Sequence, residues 1–363
     1  MSEEKPRRRR RKSKELQASV NKATEEMFSP LLESDVKDWI STTCTLLDLA
    51  ITGGLPGGIP VGRISHFFGA PSTCKSALAC ALLGSIQRKG GIGYYADIEN
   101  TLSTDFSGIC GLDVSDTDSF KLGIWTEKGA EPTTVEELYD DWLGLVLQER
   151  NRKLKLAIAD TLTVLPCKHE LKGELSDGHS LGERAKKIGA GLRKYNAPIA
   201  KKNLTLVFLD QTRTKMNAMF GEKETTSGGV GVPFYSSVRV HLKHLQPIKN
   251  DFGVVIGGWL KFQVVKNKVG EAHAEGKFRL LYKHGIDDTY TNLYFLKEHQ
   301  LGSKAAAKAS SIMQYRGREG KLSTILKYIE DNDLEEQLEA EVVKAWKEEH
   351  VGEERKPRKW KRS

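Results

Sequence analysis

The sequence predicts an α/β protein with a mixed, mainly parallel sheet flanked by helices, and two observations predict it. From about residue 40 to residue 290, strand-like segments alternate with helix-like segments. The first four strand segments are apolar on both faces, whereas the later ones alternate apolar and polar residues. Strands that are apolar on both faces are typical of parallel sheets covered by helices, and alternating strands are typical of antiparallel pairs. This order of segments indicates a parallel core that antiparallel strands extend.

The strands occupy short runs that polar residues and glycines separate. The first helix of the core is predicted from the apolar run Ala77–Leu83, which directly follows the first strand and its loop. The strands apolar on both faces are predicted at Gly62–Phe68, Gly91–Asp97, Lys155–Asp160 and Leu204–Asp210, and the alternating strands at Val238–Leu245, Trp259–Lys266 and Lys277–Lys283.

Helical patterns flank this core. A helix is predicted over about Lys14–Met27, because the pair Ser29 and Pro30 then ends it. Beyond residue 286 the pattern is helical and highly charged, as in Leu322–Asp331 and Leu334–Glu349. The predicted organisation is a basic tail with an N-terminal helical arm at 1–34, the core at 35–285, a small α-rich lobe at 286–350 and a basic tail at 351–363.

Composition limits the class of protein. No apolar run approaches the roughly 18 residues that a membrane span needs, so no membrane partner is expected. The five cysteines form no C-x-x-C pair, which predicts reduced thiols, no zinc site and a cytoplasmic location. Most of the net charge of +8 comes from the ends, since residues 1–14 carry eight Lys/Arg against two Glu, and residues 351–363 six against two. Such ends suit either solvated tails or contact with nucleic-acid phosphates, and Trp360 favours the second interpretation.

The segment GAPSTCKS at 69–76 is a phosphate-binding loop with one glycine replaced. In the pattern G-x-x-x-x-G-K-[ST], backbone N–H groups surround a polyphosphate, the lysine reaches its outer oxygens and the hydroxyl binds Mg²⁺. Gly69, Lys75 and Ser76 match the pattern, and Cys74 replaces the second glycine. The helix that follows places phosphate at a helix N-terminus. The candidate ATP-binding residues of the loop are Gly69, Ala70, Pro71, Ser72, Thr73, Cys74, Lys75, Ser76 and Ala77.

Polar side chains stand at the ends of three further predicted strands. Asp160 ends one strand, where an acid can hold Mg²⁺ together with Ser76, while Asp97 and Glu99 close another. An acid beside a phosphate loop can orient and deprotonate an attacking water. Gln211 ends a third strand, where its amide can contact a γ-phosphate and report hydrolysis to the segment that follows. Because parallel strands end at one edge of a sheet, these residues predict one nucleotide site.

A long polar segment at 212–231 follows Gln211. A loop of this length without a core pattern is usually functional or disordered. Its Arg213 and Lys215 suit phosphate contact, whereas Met219 and Phe220 suit insertion between bases.

A second glycine-rich segment, GELSDGHSLG at 173–182, precedes a basic helix. The charges of this helix suit either a solvated face or nucleic acid. The cationic residues are Arg184, Lys186, Lys187, Arg193 and Lys194.

Cys74 bears on both the backbone and the chemistry of the loop. If the position requires a positive φ, a cysteine there stores about 1–3 kcal/mol of strain. A thiol beside Lys75 at a helix N-terminus is expected to have its thiolate favoured. Cys74 then suits an adaptation, a redox-sensitive switch or a tolerated drift.

Taken in order, these blocks resemble the bacterial and phage RecA-type recombinases from about residue 35 to residue 350. GGLPGGIPVGRISHFFGAPSTCKS resembles the family's entry to its phosphate loop, and DIENTL resembles its catalytic-glutamate block. FLDQTRTKMNAMFGEKETTSGG resembles its sensor glutamine and second DNA-binding loop, and GELSDGHSLG resembles the first loop. FYSSVRV at 234–240, VVKNKVG at 264–270 and YRGREGKLSTILKYIEDN at 315–332 complete the match.

The resemblance implies a RecA-like P-loop ATPase core that uses ATP and Mg²⁺. It assigns Glu99 the activation of water, with Lys75 and Gln211 as the other catalytic residues. It places Ser76 and Asp160 at the magnesium ion.

Further roles follow from the same resemblance. Phe106 takes the place of a tyrosine that stacks on adenine, and Lys266 and Lys268 take the places of lysines that reach the neighbouring subunit's ATP. The implied DNA-binding residues are Lys186, Arg193, Arg213, Lys215, Met219, Phe220, Gly228, Gly229, Arg239 and Lys243.

The implied function is that of an ATP-dependent DNA recombinase. Such a protein forms helical filaments on single-stranded DNA, pairs it with double-stranded DNA and exchanges strands in recombinational repair. Two departures from the family change the expectations: Ser103 replaces an acid near the adenine and loosens base selectivity, and the basic ends strengthen DNA binding. The alternatives are a DNA-binding RecA paralogue in which Cys74 impairs hydrolysis and a ring-forming helicase-type ATPase.

Overall fold

A computed structural model describes residues 36–123, 134–172, 181–214, 224–226, 229–302 and 310–350. The chain divides into two units, Met1–Lys37 and Asp38–Ser363, and all the elements below lie in the second. The predicted N-terminal helix and both basic tails lie outside the described residues, as do residues 173–180 of the first predicted DNA loop. The same holds for the DNA-binding candidates Lys215, Met219, Phe220 and Gly228.

One large sheet dominates the described part of the chain. Its strand order is β12-β11-β10-β9-β3-β7-β6-β4-β5, β8 pairs with the end of β7, and two small sheets pair β1 with β2 and β13 with β14. The strands are β1 (Trp39–Ile40), β2 (Ile59–Pro60), β3 (Ile64–Gly69), β4 (Ile92–Asp97), β5 (Phe120–Leu122), β6 (Lys155–Asp160), β7 (Leu204–Thr214), β8 (Glu224–Thr226), β9 (Val238–Lys249), β10 (Val255–Asn267), β11 (Glu275–Leu281), β12 (Gly285–Ile286), β13 (Ile312–Tyr315) and β14 (Arg318–Lys321).

The mixed, mainly parallel sheet predicted from the sequence is confirmed. Strands β5, β4, β6, β7, β3 and β9 pair in parallel, and β9 to β12 continue the sheet as antiparallel neighbours. Each strand that was expected from its apolar pattern is present. The segment after Gln211 is more regular than expected, because β7 continues to Thr214 and pairs with β8.

Helices cover both faces of this sheet. The helix α4 begins at Val135–Glu137, continues as a π-helix over Leu138–Leu143 and ends at Gly144–Val146, and a 3₁₀ turn occupies Leu162–Val164. No helix in the described ranges has both the length and the apolar character that a membrane crossing requires. The remaining helices are α1 (Thr45–Thr52), α2 (Lys75–Arg88), α3 (Thr104–Ile109), α5 (Lys168–Lys172), α6 (Leu181–Lys201), α7 (Gly231–Tyr235), α8 (Asp288–Gln300), α9 (Leu322–Glu330) and α10 (Glu335–His350).

Side chains on the two faces of the central strands belong to two different hydrophobic clusters. On β7, Val207 and Leu209 join the cluster that contains α1 and α2, whereas Leu206 and Phe208 join the cluster of α4, α6 and α7. Successive side chains of a strand point to opposite faces, so a strand between two helical layers must be apolar throughout. This explains the continuous apolar runs in the sequence.

The C-terminal helices contribute to the same hydrophobic cluster as α1 and α2. Leu293 of α8 and Val342 and Trp346 of α10 all belong to it. The division of the chain near residue 286 stays a prediction, and across that point the apolar packing is continuous.

Candidate functional site

The carboxyl ends of the central strands lie side by side. Asp97 of β4 is in register with Asp160 of β6, and Gly69 of β3 is in register with Gln211 of β7. The phosphate loop leaves β3 at this edge and enters α2. The polar residues predicted to form one nucleotide site are therefore brought to a single edge of the sheet.

The phosphate loop is folded tightly around the ammonium group of Lys75. Lys75 Nζ donates to Gly69 O at 3.2 Å, Ala70 O at 2.9 Å and Thr73 Oγ1 at 3.3 Å. Burial lowers its pKa, while the nearby carboxylates Asp160 and Glu99 act in the opposite direction. Gly69 is required because a Cβ there would lie 2.2 Å from the backbone oxygen of Leu242 on β9.

Cys74 adopts the backbone conformation that a glycine would adopt without strain. Its φ of 61° and ψ of 28° are left-handed, and it is the residue immediately before α2. The expectation of a favoured thiolate is wrong: burial raises the pKa of Cys74 to about 11, and the opposing effect of Lys75 is smaller. The helix terminus and lysine were visible in the sequence, whereas the burial that outweighs them was not.

Asp160 and Ser76 form the candidate magnesium site. Ser76 Oγ donates to Asp160 Oδ2 at 2.9 Å, Tyr95 OH donates to the same oxygen at 2.6 Å, and Thr161 Oγ1 donates to Asp160 Oδ1 at 2.9 Å. A hydroxyl and a carboxylate are oxygen ligands of the kind that Mg²⁺ prefers, and Mg²⁺ usually takes few of them from the protein. The donor set therefore fits the metal that the phosphate loop implies.

Glu99 and Gln211 contact each other across the same edge. Gln211 Nε2 donates to Glu99 Oε1 at 3.0 Å. Asp97 has a different environment, because it accepts hydrogen bonds from the backbone N–H groups of Thr101 at 3.1 Å and Leu102 at 2.8 Å. Of the two acids at the end of β4, Glu99 is thus available for chemistry and Asp97 stabilises the turn.

One cavity of about 520 Å³ is lined by Lys75, Ser76, Glu99, Asp160 and Gln211, and Asp97 is not among the described residues that line it. Phe106 lies in its wall, where its stacking on adenine stays a prediction, and Ser103 caps α3 by accepting from Phe106 N at 3.4 Å. Tyr282 is the residue that sequence reasoning missed: it follows β11, lines the cavity and is 51% exposed. The antiparallel strands also supply His244, Gly258, Leu260 and Leu280 to this wall.

Lys266 and Lys268 are not among the described residues that line this cavity. Lys266 Nζ instead donates to Pro233 O at 2.6 Å and Phe234 O at 2.8 Å, at the end of α7. Burial lowers the pKa of Lys266, and the charges of Lys268 and Arg239 lower it further.

The five cationic residues of α6 that the sequence singled out, Arg184, Lys186, Lys187, Arg193 and Lys194, fall into two groups. Lys186 and Arg193 line a groove of about 940 Å³ between α6 and α7, together with Lys266 and the exposed Val230 and Phe234. The other cations pair with acids of α4 and α5: Lys187 Nζ with Glu136 Oε1 at 3.3 Å, Lys194 Nζ with Asp140 Oδ1 at 2.6 Å, and Arg184 Nη2 with Glu170 Oε2 at 3.3 Å.

The remaining DNA-binding candidates lie on or beside β7 and β9. Gly229 has a φ of 65°, and a Cβ there would lie 2.7 Å from Ala185 Cβ of α6, so the end of the second loop rests on α6. The backbone of Arg213 pairs with β8. Lys243 is exposed on β9, and Arg239 Nε donates to His66 Nδ1 at 3.2 Å. Their DNA-binding roles stay predictions.

A phosphate loop between the central strand and a helix, with acids at the neighbouring strand ends, defines the class of P-loop nucleoside triphosphatases. Within that class, the sequence model of the family described as the RecA N-terminal domain matches residues 30–287. The chain therefore belongs to the RecA family.

Several relatives are similar over most of the chain. Protein RecA of Leptospira meyeri is 31% identical over 299 residues, 82% of this chain and 72% of that protein. Protein RecA of Clostridium beijerinckii is 34% identical over 252 residues, 69% of this chain and 64% of its own length. Protein RecA of Chlamydia trachomatis is 32% identical over 247 residues, 68% and 65% of the two chains. The chain is thus a RecA-type protein of DNA recombination and repair that binds ATP and DNA.

Proposed function

We propose that this protein is an ATP-dependent recombinase that assembles as a helical filament on single-stranded DNA and promotes homologous pairing and strand exchange. The observation that carries the proposal is the constellation at one sheet edge. Lys75, Ser76, Glu99, Asp160 and Gln211 line a single cavity, and Gln211 belongs to the strand whose extension pairs with β8. Nucleotide chemistry and the second DNA loop thereby share one structural element.

ATP binding would use the bonds that the loop now makes to itself. Lys75 would exchange its contacts with Gly69 O and Ala70 O for the outer phosphate oxygens, and the N–H groups at the start of α2 would surround the phosphates. Ser76 and Asp160 would hold Mg²⁺, which supplies positive charge to the phosphate oxygens when bound. Phe106 and Tyr282, both in the cavity wall, are the aromatic candidates for contact with the base.

Hydrolysis would begin with Glu99 as general base. Its carboxylate would accept a proton from water as the water oxygen attacks the γ-phosphorus and ADP leaves. To contact the γ-phosphate, Gln211 would give up its 3.0 Å hydrogen bond to Glu99. That exchange would free Glu99 for water and move the end of β7, which would order the segment at 212–229 for DNA and release it after hydrolysis.

The nucleotide would be completed by a second protomer. Among the described residues, Lys266 and Lys268 do not line the cavity of their own chain. The ammonium group of Lys266 donates instead to backbone oxygens of α7. Beside it, Val230 is 86% exposed and Phe234 is 69% exposed. Exposed apolar side chains around a cation suit contact with another copy of the chain, from which Lys266 and Lys268 would reach the neighbour's ATP.

Mixing two inactive variants tests this composite site. Lys75→Ala removes the loop cation and Lys266→Ala removes the cation offered to the neighbour. Each variant alone is expected to lose about 10²-fold or more of DNA-dependent ATP turnover. A mixture should recover turnover, because some interfaces then combine an intact loop with an intact Lys266. The matched control is Lys261→Ala, on the same strand β10, where the lysine pairs with Glu275 at 2.6 Å.

The outcomes separate the proposals. Two inactive variants that bind DNA but recover no turnover on mixing would contradict the composite site. Electron microscopy of the wild-type protein on DNA distinguishes a helical filament from the closed ring of a helicase-type ATPase.

A second candidate function is favoured by the backbone of Cys74. A left-handed cysteine in the phosphate loop is compatible with a RecA paralogue that binds ATP and DNA and hydrolyses ATP poorly. Cys74→Gly should then raise turnover by about tenfold or more. Relief of about 1.4 kcal/mol of activation free energy corresponds to that factor. Unchanged turnover in the glycine variant removes this candidate.

A further inference from the structure

A row of polar side chains crosses three neighbouring strands on the face that α6 and α7 cover. Asp210 of β7, His66 of β3 and Arg239 of β9 alternate with residues of the opposite cluster, and His66 and Asp210 are fully buried. His66 Nε2 lies 2.9 Å from Asp210 Oδ2, and Arg239 Nε donates to His66 Nδ1 at 3.2 Å. Buried polar groups weaken a fold unless they are paired, and these three side chains are paired with one another.

The hydrogen bonds determine the protonation of His66. Because Arg239 donates to Nδ1, that nitrogen carries no proton, and Nε2–H donates to Asp210. A neutral imidazole thus joins a guanidinium to a carboxylate. Burial lowers the pKa of His66, which agrees with the neutral form, although the bond to Asp210 acts in the opposite direction.

Aromatic packing holds the imidazole in this orientation. The Phe68 ring is stacked between His66, with ring centroids 5.0 Å apart, and His241, at 4.7 Å. The Arg239 guanidinium lies 4.6 Å above the centre of the same ring. Rotation of His66 would therefore disrupt both hydrogen bonds and the stack together.

One end of the row lies at the γ-phosphate sensor. Asp210 directly precedes Gln211, and Gln211 holds Glu99 in the nucleotide cavity. The central member, His66, is three residues before Gly69 of the phosphate loop.

The other end lies at α7. Arg239 is in register with Lys266, whose ammonium group holds Pro233 O and Phe234 O. Helix α7 begins two residues after Gly229, where the second loop rests on α6. The row therefore connects the strand end that senses nucleotide with the helix that follows the DNA loop.

The hydrogen bonding of Asp210 is incomplete at one of its two oxygens. Its Oδ1 and the hydroxyl of Tyr139 on α4 are both buried and have no hydrogen-bond partner among the described residues. Oδ2, the other oxygen, holds His66, so the row ends at a carboxylate whose hydrogen bonding is incomplete on the side away from His66.

We propose that His66, Asp210 and Arg239 are positioning residues that couple Gln211 to α7, so that the nucleotide in the cavity sets the affinity for DNA. The inference rests on the function proposed above. None of the three residues lines the nucleotide cavity, and the row would act through Gln211 at one end and Lys266 at the other.

The test compares single-stranded DNA affinity with a slowly hydrolysed ATP analogue and with ADP. His66→Leu removes both hydrogen bonds, and the ratio of the two affinities is expected to fall by about tenfold, within the usual range of coupling between sites. Affinity for the analogue without DNA should stay within about threefold of wild type. His66→Gln keeps one donor and one acceptor and should restore the ratio. Ser65→Ala is the control, because Ser65 is the adjacent buried residue of β3 and its hydroxyl has no partner among the described groups.

The outcomes distinguish failure of the coupling role from failure of the proposed function. A wild-type ratio in His66→Leu, or a loss in Ser65→Ala as large as in His66→Leu, overturns the coupling role. If His66→Leu does not fold, Asp210→Asn replaces it: an unchanged ratio in that variant overturns the proposal, and a reduced ratio supports it. Equal DNA affinity of the wild-type protein with the ATP analogue and with ADP overturns the proposed function itself, and the coupling role with it.

Discussion

Two aspartates of this molecule have similar burial and similar partners but opposite surroundings. Asp160 is 3% exposed and accepts hydrogen bonds from hydroxyls, including those of Ser76 and Tyr95. Asp48 of α1 is 6% exposed and accepts from hydroxyls of Ser41 and Thr42. Asp160 lines the nucleotide cavity, where the ammonium group of Lys75 is close by. The Asp48 carboxyl is instead near the carboxyl of Asp288.

The difference shows that burial and hydrogen bonding alone do not indicate function. A buried carboxylate that shares a cavity with a cation and accepts from hydroxyls is placed to hold a metal. Near a second carboxyl, burial raises the pKa of Asp48 to about 7 and that of Asp288 to about 6. The first environment favours chemistry and the second makes stability depend on pH.

The largest expected effect is on the other acid of the cleft, Glu99. Glu99→Gln removes the general base, so DNA-dependent ATP turnover should fall by about 10²–10⁴-fold while ATP affinity is retained. Turnover and nucleotide binding are measured on the same preparation. Glu149→Gln, at a carboxylate that contacts Tyr94 outside the cavity, should behave like the wild type; a Glu99 variant with wild-type turnover would assign the base elsewhere.

Asp160→Asn tests the cavity side of the comparison directly. The amide retains a hydrogen-bond acceptor for Ser76 but loses the charge that suits Mg²⁺, so turnover should fall by about 10–100-fold. Excess magnesium should recover part of the loss, which a titration of turnover against Mg²⁺ measures. Asp48→Asn should leave turnover unchanged, and an equal loss in both variants would erase the distinction.

Asp48→Asn tests the structural side through pH. The pKa of Asp48 is 3.8 in its ordinary state and about 7 in the fold, with burial as the main cause. Between these values the unfolded chain releases a proton that the folded chain keeps, so the free energy of unfolding falls as pH rises from about 4 to 7. The variant removes this titration. Its free energy of unfolding, measured by urea denaturation, should therefore fall by roughly 1 kcal/mol or more less than that of the wild type over the same pH range.

Asp118→Asn, at an exposed carboxyl, is the control for that measurement. Parallel pH profiles for the wild type and Asp48→Asn would mean that Asp48 is ionised in the fold.

The smallest effect is expected at Cys74, a residue of the nucleotide loop whose backbone conformation bears on stability. Cys74→Gly removes the side chain, including the Cβ, from a residue with a left-handed backbone. Cys74→Ala removes only the thiol and keeps the Cβ. The glycine variant should be more stable than the alanine variant by about 1–2 kcal/mol. Equal urea midpoints for the two variants would show that the loop bears no strain at this position.

The sequence allowed the edge of the sheet to be predicted well. Asp160, Glu99 and Gln211 each follow a continuous apolar run, and the parallel order of such runs places their ends together. His244 lies on β9 and Tyr282 directly follows β11. Both escaped prediction because tertiary pairing sets the place of these antiparallel strands beside the loop. The thiolate of Cys74 was predicted wrongly because a lysine and a helix terminus are local features, while burial is not.

The central position of β3 has a consequence for how the protein is made. Its last residue, Gly69, lies opposite Gln211 on one side and Leu242 on the other. A chain leaving the ribosome at about 5–20 residues per second therefore exposes the loop-bearing strand on the order of ten seconds or longer before both neighbours exist. Both edges of this apolar strand are unpaired until β7 is made, and one stays unpaired until β9 is made; unpaired edges of this kind invite aggregation. A nascent chain interrupted before residue 242 should accordingly be a client for chaperones and not a smaller ATPase.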